Sequence, residues 1–247
     1  MSRVVAFWSP SGAGATTLVL NAATALGARG LGVAAVDLNL TAPSLALYAD
    51  LLPYDQPGEA CLSRVLPALH GGRLTQAELS RHLLAGPGFS LLPGMLDLLS
   101  SSRLTEGDIR QLIRMLAART DVVLVDTAAP LDSLGCLPVL ELADLVVLVV
   151  GPEIASRFHT RRSVMPLLGA GWGPRLALVH NRSDGKSVAQ VAGDVGIPVA
   201  AEVPDLRLMP GLVQAGEIAY AIRTVLPAMA RFRSAVDVLA ALVWKGV

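Results

Sequence analysis

Apolar residues in this chain gather into short unbroken runs. Between the runs lie longer stretches in which apolar residues recur every three or four positions. The runs are Val4–Trp8, Val33–Val36 ending at Asp37, Phe89–Leu92, Asp121–Asp126, Leu145–Val150, Leu176–His180 and Val199–Ala201. Most are filled with Val, Leu or Ala at successive positions rather than alternating with polar residues. Strands covered on both faces read this way, and parallel sheets sandwiched by helices produce them. Of the intervening stretches, Thr16–Ala28 is an Ala- and Leu-rich helix. Another opens at Thr105-Glu106 and runs to about Ala118, with Ile109, Leu112, Ile113 and Leu116 on one face. Ala155–Leu168 is a third, which Pro166 is expected to end or bend. Gly216–Trp244 is a fourth, with a break or fresh start at Pro227. The segment Leu51–Gly88 is punctuated by Pro and Gly and holds two short amphipathic pieces. The prediction is an α/β fold: a mostly parallel central sheet with helices on both faces. With no internal repeat, low-complexity tract or linker, residues 1–247 are expected to form a single domain.

Composition narrows the class. The 247 residues are 53% hydrophobic and 16% charged, which suits a packed core rather than disorder. The formal net charge is zero, so the overall field supports neither DNA nor an acidic membrane as a partner. The longest apolar runs are of strand length, and the first residues lack a signal-peptide pattern. Cys61 and Cys136 are far apart and have no metal-ligand spacing, so a reduced cytoplasmic protein is expected.

The densest chemical signal follows the first strand: Ser9-Pro10-Ser11-Gly12-Ala13-Gly14-Ala15-Thr16-Thr17 and then a helix. Strand, glycine-containing loop and helix is the setting in which backbone N–H groups and a helix N-terminus cradle phosphate oxygens. Gly12 and Gly14 would let the loop curl, and Thr16 would offer a hydroxyl to Mg²⁺. The position before Thr16, where a phosphate-binding loop carries Lys, is Ala15. Taken alone, the segment also reads as a small-residue turn.

The loop resembles the deviant Walker A motif of the MinD/ParA family, KGGxGKT[ST]. In that alignment Pro10 stands at the family's signature Lys and Ala15 at its P-loop Lys, while Gly12, Gly14, Thr16 and Thr17 match. Three further stations follow in order. Asp37-Leu38-Asn39-Leu40 with Pro43-Ser44-Leu45 resembles switch I, with Asn39 in place of the acid that positions the attacking water. Asp126-Thr127-Ala128-Ala129-Pro130 resembles Walker B with switch II. Asn181-Arg182, after a strand, and Val203-Pro204-Asp205 resemble the adenine-reading Asn and the loop that wraps the base. The wording around Phe7–Leu18, Leu91–Gly94 and Asp121–Val150 is similar to the CpaE/TadZ pilus-assembly and localisation group.

The resemblance implies ATP or ADP with Mg²⁺, the metal held by Thr16, Asp37 and Asp126. It implies nucleotide binding by Ser11, Gly12, Ala13, Gly14, Ala15, Thr16, Thr17, Asn181, Pro204 and Asp205; no catalytic residue is assigned, and Asn39 stands at the water-positioning site. The role implied is a localisation or assembly factor with weak or absent hydrolysis. An active cycling ATPase and a nucleotide-free scaffold are the alternatives; Lys186 and Arg157 are the candidates to replace the missing lysine in the first of these. Partners would be proteins of an assembly or positioning system, with a homodimer possible in principle and the inner face of the membrane reached through partners. Arg157, Arg161 and Arg162 with Phe158 and His159 form a local basic cluster, read as an exposed helix face rather than a DNA contact. His70, His82 and His180 are scattered, Cys136 reads as core, and Ala235–Val247 is expected to pack on the sheet rather than on a membrane.

Overall fold

The computed structural model describes residues 2–52, 60–95, 103–127 and 129–246. Eight strands form one sheet: β1 (Arg3–Trp8), β2 (Val33–Leu38), β3 (Leu84–Gly86), β4 (Phe89–Leu92), β5 (Val122–Thr127), β6 (Leu145–Val150), β7 (Leu176–Ser183) and β8 (Val199–Pro204). Their spatial order is β3-β4-β2-β5-β1-β6-β7-β8, and every pairing is parallel except β3 with β4. The described helices are α1 (Ala15–Gly27), α2 (Leu45–Tyr48), α3 (Leu62–His70), α4 (Gln76–Arg81), α5 (Glu106–Ala117), α6 (Leu137–Leu142), α7 (Ile154–Gly169), α8 (Val188–Val195), α9 (Met209–Gln214) and α10 (Pro227–Lys245).

The unbroken apolar runs have the cause inferred for them. In β1, Val5 and Phe7 join a buried layer with α1 and α10, while Val4, Ala6 and Trp8 join a second layer with α3, α5 and α6. Val147 and Val149 of β6 divide from Val146, Leu148 and Val150 in the same way. A strand with helices on both faces has no solvent side, so no position favours a polar residue.

Local signals set the helix ends. Thr105 accepts a hydrogen bond from the Asp108 N–H while the Asp108 carboxylate takes the Thr105 N–H, a capping box that starts α5. Thr75 and Glu78 do the same for α4. Both fall where two short amphipathic pieces and the Thr105 start were expected. The C-terminal helix packs Met229, Phe232, Val236, Leu239 and Val243 into the α1 layer, as expected for Ala235–Val247 within the described residues, which exclude Val247.

Several expectations are corrected. Pro166, expected to end or bend α7, lies inside its last turn: the helix stops at Gly169, one residue past the predicted end, and the Ala170 N–H reaches the Pro166 carbonyl at 3.0 Å. Gly216–Leu226 holds only a 3₁₀ turn at Ala219–Ala221, and α10 starts afresh at Pro227, where a missing N–H leaves nothing unsatisfied. Strand β3 pairs at the sheet edge in a segment read as helical pieces and loop. Strands β7 and β8 run further than predicted, so Asn181 lies within β7 and Val203-Pro204 end β8 rather than belonging to loops.

Candidate functional site

The site lies at the carboxyl ends of the central strands, where β1 feeds α1 and its neighbours β5 and β6 lead away on either side. Ligand crevices in open α/β sheets form at such points. Gly12 and Gly14 both adopt left-handed backbone, φ 70° and 94°. Gly14 is the N-cap of α1, with no side chain capping the helix and no acid in its first turn. The helix therefore presents free N–H donors and the positive end of its dipole to whatever occupies the loop. A Cβ on Gly14 would stand 2.7 Å from the Asn181 Nδ2, so the loop could not close as it does with any other residue.

Three clamps hold this loop. The Ser9 hydroxyl accepts the Ala13 N–H at 2.6 Å and donates to the Val149 carbonyl at 3.1 Å. The Asn181 amide donates to the Ala13 carbonyl at 2.8 Å. Ser11 shares a 2.7 Å hydrogen bond with Ser156 of α7, whose hydroxyl also takes the Gly151 N–H at 2.8 Å. Ser9 and Ser156 escaped the sequence reading; a serine before a loop, or one inside a helix, carries no periodic signal.

Beside the loop lies a buried acidic pair. Asp37 and Asp126 are register partners on adjacent strands and are 1% and 2% exposed. The Thr16 hydroxyl donates to Asp126 at 2.6 Å. Asp37 accepts three backbone N–H groups, from Asn39 at 3.1 Å, Ser44 at 2.7 Å and Leu45 at 2.9 Å, which fold the segment after β2 back over its end. Burial pushes Asp37 up to about 6 against those three donors. Burial, and then the Asp37 charge, push Asp126 well above the ordinary carboxylate range, with Thr16 opposing.

A divalent cation fits this donor set. Two carboxylates and a hydroxyl are hard oxygen ligands, and positive charge would relieve the repulsion between the acids. Asp126 has the fewer competing donors; Asp37 is largely occupied in shaping the turn. Among the described residues, no three His, Cys, Asp or Glu side chains converge into a metal cage. Bound phosphate oxygens would have to complete the coordination, as is usual for Mg²⁺.

Two cavities meet at the loop. One, of about 290 Å³, is lined by Gly12, Gly14, Ala15, Thr16, Asn39 and Asp126, among others. The other, of about 430 Å³, is lined by Gly12, Gly14, Asn181, Arg182, Pro204 and Asp205, together with apolar Leu206, Met209 and Phe232. Thr17 and Tyr48 line both. The structure thus brings most of the predicted residues together; Ser11, Ala13 and Asp37 stand behind the walls as supports. Ala128 of the Walker B-like stretch lies outside the described residues. The larger cavity also depends on the α9 segment and Arg207, which no motif flagged. A bulge at Arg182, a non-glycine residue at φ 56°, shifts the register between Asn181 and Ser183 beside the cavity.

No Lys or Arg is among the described residues lining the smaller cavity. Arg157, a candidate to replace the lysine, is buried and ion-paired with Asp194 at 2.7 Å. This also corrects its reading as part of an exposed face. Lys186 is exposed and lines neither cavity. The Asn39 side-chain oxygen accepts the Ala42 N–H at 3.2 Å.

No family model matches the chain, and neither does any curated protein. Solved structures do. A ParA family ATPase from Chlorobium tepidum TLS superposes with a TM-score of 0.81 at 22% identity, covering 98% of this chain and 99% of that one. The septum site-determining protein MinD of Pyrococcus horikoshii OT3, complexed with Mg-ADP, gives 0.79 at 23% identity, covering 99% and 97%. MinD in the MinC:MinD cell division complex of Aquifex aeolicus gives 0.73 at 21% identity, covering 97% and 95%. At these identities the likeness establishes the fold, that of the MinD/ParA P-loop proteins.

Proposed function

We propose that this chain is a MinD/ParA-type nucleotide-binding protein that uses ATP or ADP with Mg²⁺ as a ligand rather than as fuel. It would act as a localisation or assembly factor through protein partners, with hydrolysis near background. The observation that carries this reading is a complete cradle with a neutral rim. The curled loop, the open end of α1, the Thr16–Asp126–Asp37 cluster and the base-sized cavity are all present, while Pro10, Ala15 and Asn39 stand where the resembled family places two cations and an acid.

The chemistry follows from the residues. Backbone donors at the start of α1 would take the phosphates, and the apolar wall beside Asn181 would take the base. Thr16 and Asp126 would hold Mg²⁺, with Asp37 balancing its charge; the ion when bound would neutralise phosphate oxygens. Phosphoryl transfer further requires positive charge on the β/γ oxygens and an oriented nucleophile. Ala15 offers no charge. Asn39, its oxygen already accepting a hydrogen bond, is not a proton acceptor for water. The fold likeness to MinD in its complex with MinC supports a partner-binding role of the same general kind.

Calorimetry with Mg-ATP and Mg-ADP, alongside a phosphate-release assay, tests the proposal. Saturable binding with turnover no greater than that of Asp126→Ala is expected. Turnover at ordinary ATPase rates that Asp126→Ala abolishes would overturn the hydrolysis reading. Absence of binding at millimolar nucleotide would overturn the ligand reading in favour of a nucleotide-free scaffold.

A further inference from the structure

A second cleft, of about 590 Å³, opens at the far end of α1 from the phosphate loop. Its floor is a backbone-to-backbone contact: a Cβ on Gly27 would fall 1.9 Å from the Gly88 carbonyl oxygen. Only glycine at 27 lets the β3–β4 turn, with Pro87 and Gly88, seat so closely against the helix. The opposite wall is Tyr220, with the Arg233 guanidinium stacked 5.3 Å from its ring centroid, and Arg223 beside it. Tyr220 is fixed from behind. Its N–H donates to the buried Asn21 side chain at 2.8 Å, and Asn21 in turn donates to the Thr17 carbonyl of the phosphate loop region at 2.8 Å.

The charge in this cleft is not balanced. Neither Arg223 nor Arg233 has an acidic partner among the described residues, and the Arg233 Nε is buried with no hydrogen-bond partner. No acid lines the cleft among the described residues. The nearest acid in the network, Asp237, is engaged by Arg29 at 3.0 Å and by the Tyr220 hydroxyl at 2.8 Å. The carboxyl end of α1 brings roughly half a negative charge to the same place, which two full guanidinium charges outweigh. Buried polar groups are ordinarily paired, and a planar guanidinium fork matches the oxygens of a phosphate.

We infer that this cleft is a second ligand site, selective for a small phosphorylated molecule, with Arg223 and Arg233 holding the phosphate between Tyr220 and the Gly27–Gly88 contact. Its volume lies within the range of ordinary small-molecule sites. The inference is independent of whether nucleotide occupies the loop at the other end of α1.

The test is a titration of the ¹⁵N-labelled full chain with inorganic pyrophosphate in the absence of Mg²⁺, following amide shifts. Saturable shifts are expected at Gly27, Gly88 and Tyr220. They should weaken roughly tenfold or more in Arg223→Ala, as loss of one charge-assisted contact implies, and also in Arg233→Gln. Arg223 is exposed, so its replacement leaves folding intact. Shifts at Gly12 and Gly14 report the phosphate loop separately, so either site can fail without the other. Citrate at the same concentration distinguishes carboxylates from phosphate. No saturable shift at Gly27, Gly88 and Tyr220, an affinity unchanged in both variants, or equal binding of citrate would overturn the inference.

Discussion

Replacing Asp126 by Asn should stabilise the ligand-free protein at neutral pH while removing its response to Mg²⁺. Asp37 and Asp126 are partners in the β2–β5 register, and adjacent strands lie about 4.8 Å apart. Two charges about 5 Å apart repel by about 3 kcal/mol at an effective dielectric of about 20. Burial acts in the same direction: Asp37 is pushed up to about 6 and Asp126 well above its ordinary value of 3.8. A carboxyl whose folded pKa is raised contributes stability that is complete below the unfolded value. That stability is lost as pH rises through the folded one, at about 1.4 kcal/mol per pH unit for each proton. For Asp37 the loss between about pH 4 and 6 approaches 3 kcal/mol.

Asn at 126 keeps an oxygen for the Thr16 hydroxyl, and its amide has the Asp37 carboxylate as an acceptor. By analogy with other neutralised buried charges, the gain should be about 1–4 kcal/mol at pH 7.5. For a chain of this length, that raises the melting midpoint by roughly 3–12 °C. Scanning calorimetry at pH 7.5 and pH 4.5, with and without Mg²⁺, measures it. The variant should melt higher at pH 7.5, the gap should narrow at pH 4.5, and Mg²⁺ should raise only the wild type. A variant that melts lower at pH 7.5, or a gap independent of pH, would refute the argument that the acids are held together against their charge.

Three further outcomes follow from the loop. Ala15→Lys places a cation at the wall of the phosphate cavity and should tighten Mg-ATP binding roughly ten- to a hundredfold by calorimetry, the worth of one charge-assisted contact; equal affinities would mean another group already fills the role. Gly14→Ala forces a Cβ against Asn181 at a left-handed φ of 94° and should lower stability by about 1–3 kcal/mol in urea titration, with loss of any nucleotide response; an unchanged midpoint would show that the loop relaxes freely. Pro10, at the position of the resembled family's signature Lys, offers no side-chain donor to a nucleotide held between two copies, so sedimentation velocity should give the same oligomeric state without nucleotide, with Mg-ADP and with a Mg-ATP analogue; a dimer formed only with the analogue would restore the cycling-ATPase reading.

The sheet was legible in the sequence because burial on both faces leaves a composition signal that needs no long-range information. Phe89–Leu92 and Leu145–Val150 were bounded correctly for that reason. Strand ends were less legible. Asn181, Arg182 and Ser183 are polar, and their place in β7 depends on pairing with Val203 and Pro204, which no local pattern encodes. The same distinction runs through the site. Gly12 and Gly14 were legible because backbone curl demands glycine, and Thr16, Asp37 and Asp126 because their segments resemble motifs of a known family. The Ser9 and Ser156 clamps, Tyr48 and the α9 wall were not, because many residues can fill those roles and only the fold brings them to the loop.

This difference bears on what the protein does. The positions where geometry is demanding carry the residue type that the geometry needs: two left-handed glycines, a hydroxyl on Asp126, an amide on Ala13. Pro10, Ala15 and Asn39, at the positions that would supply charge for phosphoryl transfer, are neutral, and Arg157, a candidate replacement, is committed to Asp194. Acids held together against their charge are relieved by a bound cation, which is the part of the proposed ligand role that the Mg²⁺ arm of the Asp126→Asn experiment reads directly.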